Sequence, residues 1–170
     1  VRGGITGALI SYLLIREGVD VVLVDRELPG CGSTAASTGL LQYEIDTPLI
    51  ELIQKRGEVQ AVHAYRRGLS AIDELEVLAE ELTRPCGFQR RATLYLASSD
   101  HDLAELRREH ECRRHFGFDV TCFEREPLRE FARIVAPGAL HSYGDGQLDP
   151  YTFTQDLLRD RLRCFRPNFT

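Results

Sequence analysis

Five residues near the amino end, Gly3-Gly4-Ile5-Thr6-Gly7, restrict this chain more than any other segment. Gly3 and Gly4 open a tight turn, and Gly7 follows inside an apolar run made by Ala8, Leu9, Ile10, Leu13, Leu14 and Ile15. The run predicts a helix over 6–17, stopped by Gly18. Val21, Val22, Leu23 and Val24 then predict a short strand that ends at Asp25, and a continuous apolar strand suits a parallel sheet covered on both faces. Turn, helix, strand and acid in that order form the layout of a dinucleotide-binding unit. One glycine makes the turn, a second lets a pyrophosphate approach the backbone, and a third packs the helix close to the strand. Gly4 and Gly7 stand where the second and third belong, and Arg2 stands where the first does. The amides and macrodipole of the helix start stabilise phosphate charge. Asp25 lies at the offset of about 20 residues expected of a carboxylate that accepts ribose hydroxyls. The same residues also fit a plain tight turn with Asp25 as a solvated strand end.

The rest of the composition narrows the class. The chain has 170 residues, 43% hydrophobic and 28% charged, which suits one ordinary domain and excludes wholesale disorder. No window reaches the roughly 18 apolar residues of a membrane span, and no signal peptide is visible. A net charge of −5 argues against general nucleic-acid binding. Five cysteines without a CxxC pair argue against a disulfide framework and fit a reducing cytoplasm. Methionine is absent, even at position 1, so the chain reads as a truncated piece of a longer protein.

Pro29 to Gly39 reads as a loop of small residues. Thr47 predicts an N-cap with Pro48 at the first helical position, and a helical pattern runs to about Leu82 with a break near Gly57. An extended strand or hairpin is expected over 87–97. Ser99 and Asp102 predict a capping box for a helix to about Phe116, with Gly117 as its stop. A strand over 119–124, a short helix from Pro127, a strand over 139–143, a Gly144-Asp145-Gly146 turn and a last helix over 151–162 complete the reading. The alternation argues α/β or α+β.

Other chemistries find little support. No G-x-x-x-x-G-K-[ST] occurs, and Lys55, the one lysine, excludes a Tyr-x-x-x-Lys pair. His110, Cys112 and His115 read as a solvated helix face, with no metal site expected. The arginine pairs at 66–67, 90–91, 107–108 and 113–114 are interleaved with acids such as Asp73, Glu105 and Glu109, and read as surface ion pairing. Cys31 has no base nearby in sequence to make it a nucleophile. Tyr43 and Glu44 fit a cavity border or packing equally.

The stretches Gly3–Ala8, Val22-Leu23-Val24-Asp25-Arg26 and Gly32–Thr38 together resemble the start of FAD-dependent oxidoreductases. The group they resemble is D-amino-acid-oxidase-like, with glycine and sarcosine oxidases and glycerol-3-phosphate dehydrogenases. Gly146-Gln147-Leu148-Asp149-Pro150 resembles that family's return from substrate domain to cofactor domain. The resemblance implies an α/β fold with a Rossmann-like FAD-binding βαβ start. A helical excursion and the opening of an α+β substrate domain would follow. The implied parts are 1–47 for FAD, 48–138 for the helical segment and early substrate domain, and 139–170 for a partial return. Gly3, Gly4, Ile5, Thr6 and Gly7 would face the FAD pyrophosphate, and Asp25 the adenosine ribose with Arg26 beside it. Gly32, Ser33, Thr34, Ala36 and Ser37 would line the pyrophosphate and ribityl chain. The implied flavoprotein oxidises a C–H next to an amine or hydroxyl of a small substrate by hydride transfer. No catalytic acid or base, electron acceptor or oligomeric state is assigned. The isolated piece is expected to be inactive. Two alternatives are an NAD(P)-dependent Rossmann oxidoreductase and a non-catalytic α/β binding fragment. The tail Arg163–Thr170 departs from the family pattern.

Overall fold

The computed structural model describes residues 2–159. Val1, the end of the last expected helix and the tail with Cys164 lie outside the described residues. The chain forms two compact units. Unit 1 comprises 2–39, 76–88 and 147–159, and unit 2 comprises 40–75 and 89–146.

Unit 1 is built on two helices, α1 (Ile5–Arg16) and α6 (Pro150–Arg159). Their contact buries Ala8, Tyr12, Phe153 and Leu157, each less than 5% exposed. α1 stops as expected at Gly18, which takes a left-handed φ of 79°. α6 starts as expected on Asp149, whose Oδ1 accepts the Tyr151 and Thr152 amides and whose Oδ2 accepts the Thr152 hydroxyl. The first of these partners to matter is the hydroxyl, and together they hold the Asp149 carboxyl below its ordinary value.

The expected strand at 21–24 is not in a sheet. The segment is irregular, and Val22 and Val24 are largely exposed. Strand composition alone does not make a ladder, which is set by pairing with residues elsewhere in the chain. The mixed α/β class itself holds.

Unit 2 contains the sheet. Its strands are β1 (Leu40–Leu41), β2 (Gln89–Leu96), β3 (Val120–Glu124) and β4 (Gly138–Gln147), in the order β1-β4-β2 with β3 also on β4. β3 and β4 are antiparallel, with Val120 opposite Ser142 and Glu124 opposite Gly138. Position 138 requires glycine: a Cβ there would stand 2.4 Å from the Phe123 carbonyl oxygen. The expected Gly144-Asp145-Gly146 turn is instead part of β4. Gly144 absorbs a φ of 101°, and the buried Asp145 carboxylate accepts the Tyr43 amide at 3.0 Å and the Thr93 hydroxyl. Those partners come from residues far away in the chain, so local turn chemistry is overridden.

The helices of unit 2 follow the sequence closely. α2 (Leu49–Arg56) and α3 (Glu58–Glu81) are split at Gly57, with φ 84°; α3 continues into unit 1 beyond residue 75. α2 begins one residue later than expected, with Pro48 as its cap. α4 (Asp100–His115) is capped by Ser99 Oγ, which accepts the Asp102 amide at 3.2 Å, while Asp102 Oδ2 accepts the Ser98 amide at 3.1 Å. α5 (Arg125–Ala132) starts two residues before Pro127, which is tolerated because first-turn amides have no intrahelical acceptor. No helix among the described residues is long and apolar enough to cross a membrane.

Candidate functional site

The glycine turn folds against the acid expected to serve it. Gly4 is the N-cap of α1, and the Ala8 amide donates to the Gly4 carbonyl at 2.9 Å. That bond leaves the amides of Ile5, Thr6 and Gly7 ahead of the helical ladder. No acidic side chain lies in this first turn and none caps it.

Asp25 Oδ2 accepts the Gly3 amide at 2.7 Å, and Oδ1 accepts the Glu27 amide at 3.1 Å. The bond from Glu27, then that from Gly3, hold the exposed carboxyl below its ordinary value, so it is an anion at neutral pH. Thr34, 5% exposed, accepts the Ile5 amide on Oγ1 at 3.1 Å. The turn, the acid and the small-residue loop therefore meet at one helix start.

A second row of contacts fixes the turn from behind. The Gly30 amide donates to the Gly3 carbonyl at 2.8 Å, and α6 holds that segment through Gln155 Nε2 on the Pro29 carbonyl. A Cβ on Gly3 would meet Pro29 Cα and Cβ at 3.1 Å and Asp25 Oδ2 at 3.2 Å, so the bend tolerates glycine alone without adjustment. Pro29, Gly30 and Gln155 escaped the sequence reading. The Pro-Gly pair signalled a turn, but nothing local to Gln155 marks a partner so distant in the chain.

Among the expected cofactor residues, Gly3, Gly4, Ile5, Asp25 and Thr34 are brought together by these bonds. Gly7 is buried within α1 and Thr6 is exposed on it. Gly32, Ser33, Ala36 and Ser37 lie exposed along the loop, with Ser37 Oγ accepting the Gly39 amide. Arg26 is 91% exposed and pairs with Glu27 at 3.4 Å.

The donor set suits a diphosphate with an attached ribose. Amides at a helix start favour an anion, Thr34 adds a hydroxyl, and Asp25 keeps acceptor capacity beyond its two backbone bonds. Because Gly3 and Gly4 carry no side chain, a ligand can come against the backbone.

Unit 2 contains a cavity of about 840 Å³ between the sheet and α2 and α4. Its wall includes Gln42, Glu44, Asp46, Tyr95, Arg108 and Arg113, and acids outnumber bases along it. One side is a buried ion network. Arg113 Nε donates to Glu109 Oε1 at 2.6 Å, and its Nη1 donates to Glu44 and, at 3.3 Å, to Ser142 Oγ. Its guanidinium carbon stands 5.2 Å from the Tyr65 ring centroid. Burial opposes the charge, but Glu44, Tyr65 and Glu109 overcome it and hold the guanidinium proton more tightly than usual. Glu109 also accepts the Leu49 and Ile50 amides at 2.6 and 3.0 Å, anchoring the start of α2. Arg113 and Glu109, expected as surface ion pairs, are thus interior residues. The arginine pairs repeat too regularly for the sequence to mark which one turns inward. Burial also raises the Asp145 carboxyl, against its bonds from Thr93 and Tyr43.

His101, Asp102 and Glu105 bring possible ligand atoms within 4.8 Å of one another. They sit at the positive end of α4, and Asp102 is engaged by the Ser98 amide, both of which disfavour a cation.

The DAO family model, described as FAD dependent oxidoreductase, matches residues 3–163. Mitochondrial dimethylglycine dehydrogenase of Rattus norvegicus is 27% identical over 164 residues, covering 92% of this chain and 17% of the relative. Glycine oxidase from Bacillus cereus superposes with a TM-score of 0.69 at 18% identity, over 94% of this chain and 41% of that structure. L-alpha-glycerophosphate oxidase from Mycoplasma pneumoniae, solved with FAD bound, gives 0.65 at 16% identity, over 91% and 39%. The chain therefore spans less than half the length of each of these proteins.

Proposed function

Since the chain belongs to the DAO family of FAD-dependent oxidoreductases, we propose that it supplies the FAD-holding start of an enzyme that oxidises a C–H next to an amine or hydroxyl of a small substrate. Bound FAD accepts a hydride; the protein supplies binding and orientation. In this reading the Thr6 and Gly7 amides, with Gly4, hold the diphosphate, and Gly3 permits its approach. Asp25, ionised and fixed by two backbone bonds, accepts the ribose hydroxyls, with Arg26 beside it. Thr34 orients the helix start through the Ile5 amide, while Gly32, Ser33, Ala36 and Ser37 follow the chain towards the flavin.

The observation that supports this most is the 2.7 Å bond between Gly3 and Asp25, which brings together the turn and the acid that this reading assigns to the pyrophosphate and the ribose. Unit 2 would then be the opening of the substrate domain. Free thiols at Cys31, Cys86, Cys112 and Cys122 support a reducing compartment, in our reading the cytoplasm.

The isolated 170-residue chain should hold FAD weakly and show no turnover, because it spans less than half the length of the oxidases on which it superposes. Titration with FAD and with NAD, followed by flavin fluorescence and calorimetry, tests this. Weak binding of FAD in preference to NAD is expected. Tight, stoichiometric flavin retention contradicts the inactivity of the isolated chain, and preference for NAD contradicts the cofactor assignment.

A further inference from the structure

A ring nitrogen in unit 2 is buried without a hydrogen-bond partner among the described residues: Nδ1 of His141, a residue 7% exposed near the middle of β4. Its surroundings are aromatic. The Tyr143 ring centroid lies 4.3 Å away, Phe131 5.2 Å and Phe123 5.9 Å. Strand pairing sets Thr121 opposite His141 and Phe123 opposite Ala139, so His141 and Phe123 share one face of the β3–β4 pair. α5 covers this face, its Phe131 ring stacked on Phe123 at 4.8 Å.

The cover is slight. α5 has eight residues, is anchored by the fully buried Leu128, and ends on Arg133 in the left-handed region at φ 58°. Phe131 is itself 56% exposed. The charged groups around His141 are few. Arg125, Glu126, Arg129 and Glu130 of α5 are exposed, and Arg129 leans to Glu126. On β3, Glu124 is taken by Arg107 at 2.7 Å. Asp119, just before β3, favours a proton on the ring, but burial outweighs it and holds His141 below its ordinary value.

We propose that His141 is a proton-triggered release for α5. The neutral ring lets Phe123, Phe131 and Tyr143 close over Nδ1, and the protonated ring needs an acceptor for Nδ1–H that the closed cluster does not supply, so α5 lifts from β3. The direction follows from linkage. Opening returns the ring to its ordinary value, and closing holds it below that. The preference for the closed form is complete above about pH 6.5 and declines as pH falls towards the closed-form value. One proton is involved, so the opening constant rises by up to about tenfold per pH unit within that window.

Hydrogen exchange on the full 170-residue chain, corrected for intrinsic rates, tests this between about pH 7.5 and about pH 5. Protection of α5 amides should fall towards that slope while α4 stays protected, and His141→Phe should remove the pH dependence. Constant α5 protection in the wild type, or the same loss in His141→Phe, overturns the proposal. Should His141→Phe fail to fold, His141→Leu in the same exchange assay decides. Loss of the pH dependence of α5 protection supports the release, and its persistence overturns it.

Discussion

Replacing Arg113 with Met removes one member of a buried charge network and keeps most of its volume. The Arg113 and Glu109 side chains are each 5% exposed, and Glu44 is 14% exposed. The substitution leaves two carboxylates facing an apolar side chain. Glu109 keeps the Leu49 and Ile50 amides, which soften its loss, whereas the guanidinium pairing of Glu44 disappears. Breaking a buried pair from one side costs about 3–5 kcal/mol. The control is Arg107→Met, which breaks a bidentate pair to Glu124 whose partners are both about half exposed. Solvent screening makes that cost small. With no tryptophan in the chain, urea unfolding is best followed by circular dichroism. At a slope of about 2 kcal/mol per molar, Arg113→Met should lower the midpoint by about 1.5–2.5 M, and Arg107→Met by less than about 0.5 M. A loss for Arg113→Met within about 1 kcal/mol of the control would refute the interior role.

Three further outcomes are expected. Gly39→Ala should destabilise the chain by at least about 1–3 kcal/mol in the same unfolding assay, because Gly39 has φ 68° and its added Cβ would lie 2.1 Å from the Leu148 carbonyl oxygen. Ser99→Ala should cost about 1 kcal/mol through loss of the α4 cap, while the equally exposed Ser33→Ala should cost little, a difference readable as a midpoint shift. Asp149 has a lowered folded-state value, so its contribution is present above about pH 4 and lost as pH falls through the folded value; Asp149→Asn should flatten acid unfolding in that window.

Local signals carried much of the fold. The Ser99 cap, the glycine stops at 18 and 117, the split at Gly57 and the start of α6 on Asp149 are set by neighbours a few residues away, and each stands where its residues indicate. What failed depends on distant partners. Val21–Val24 has strand composition, but a strand needs a ladder, and sequence supplies no pairing information. Gly144-Asp145-Gly146 has turn composition, yet Tyr43 and Thr93 draw Asp145 into β4. In the candidate site, the meeting of Asp25 with the turn accords with their offset of about 20 residues, whereas the support from Gln155 and the burial of Thr34 come from packing. Arg113 shows the same limit, since the positions 107, 108, 113 and 114 look alike until the sheet is placed beside one of them.

The most direct test of the dinucleotide site is the FAD dissociation constant of the longer polypeptide carrying this chain, wild type against Asp25→Ala. Loss of a charged hydrogen-bond acceptor for the ribose is expected to weaken binding roughly 5- to 150-fold, with the polypeptide still folded. Equal affinity of the two proteins for FAD would contradict the placement of the cofactor at this helix start.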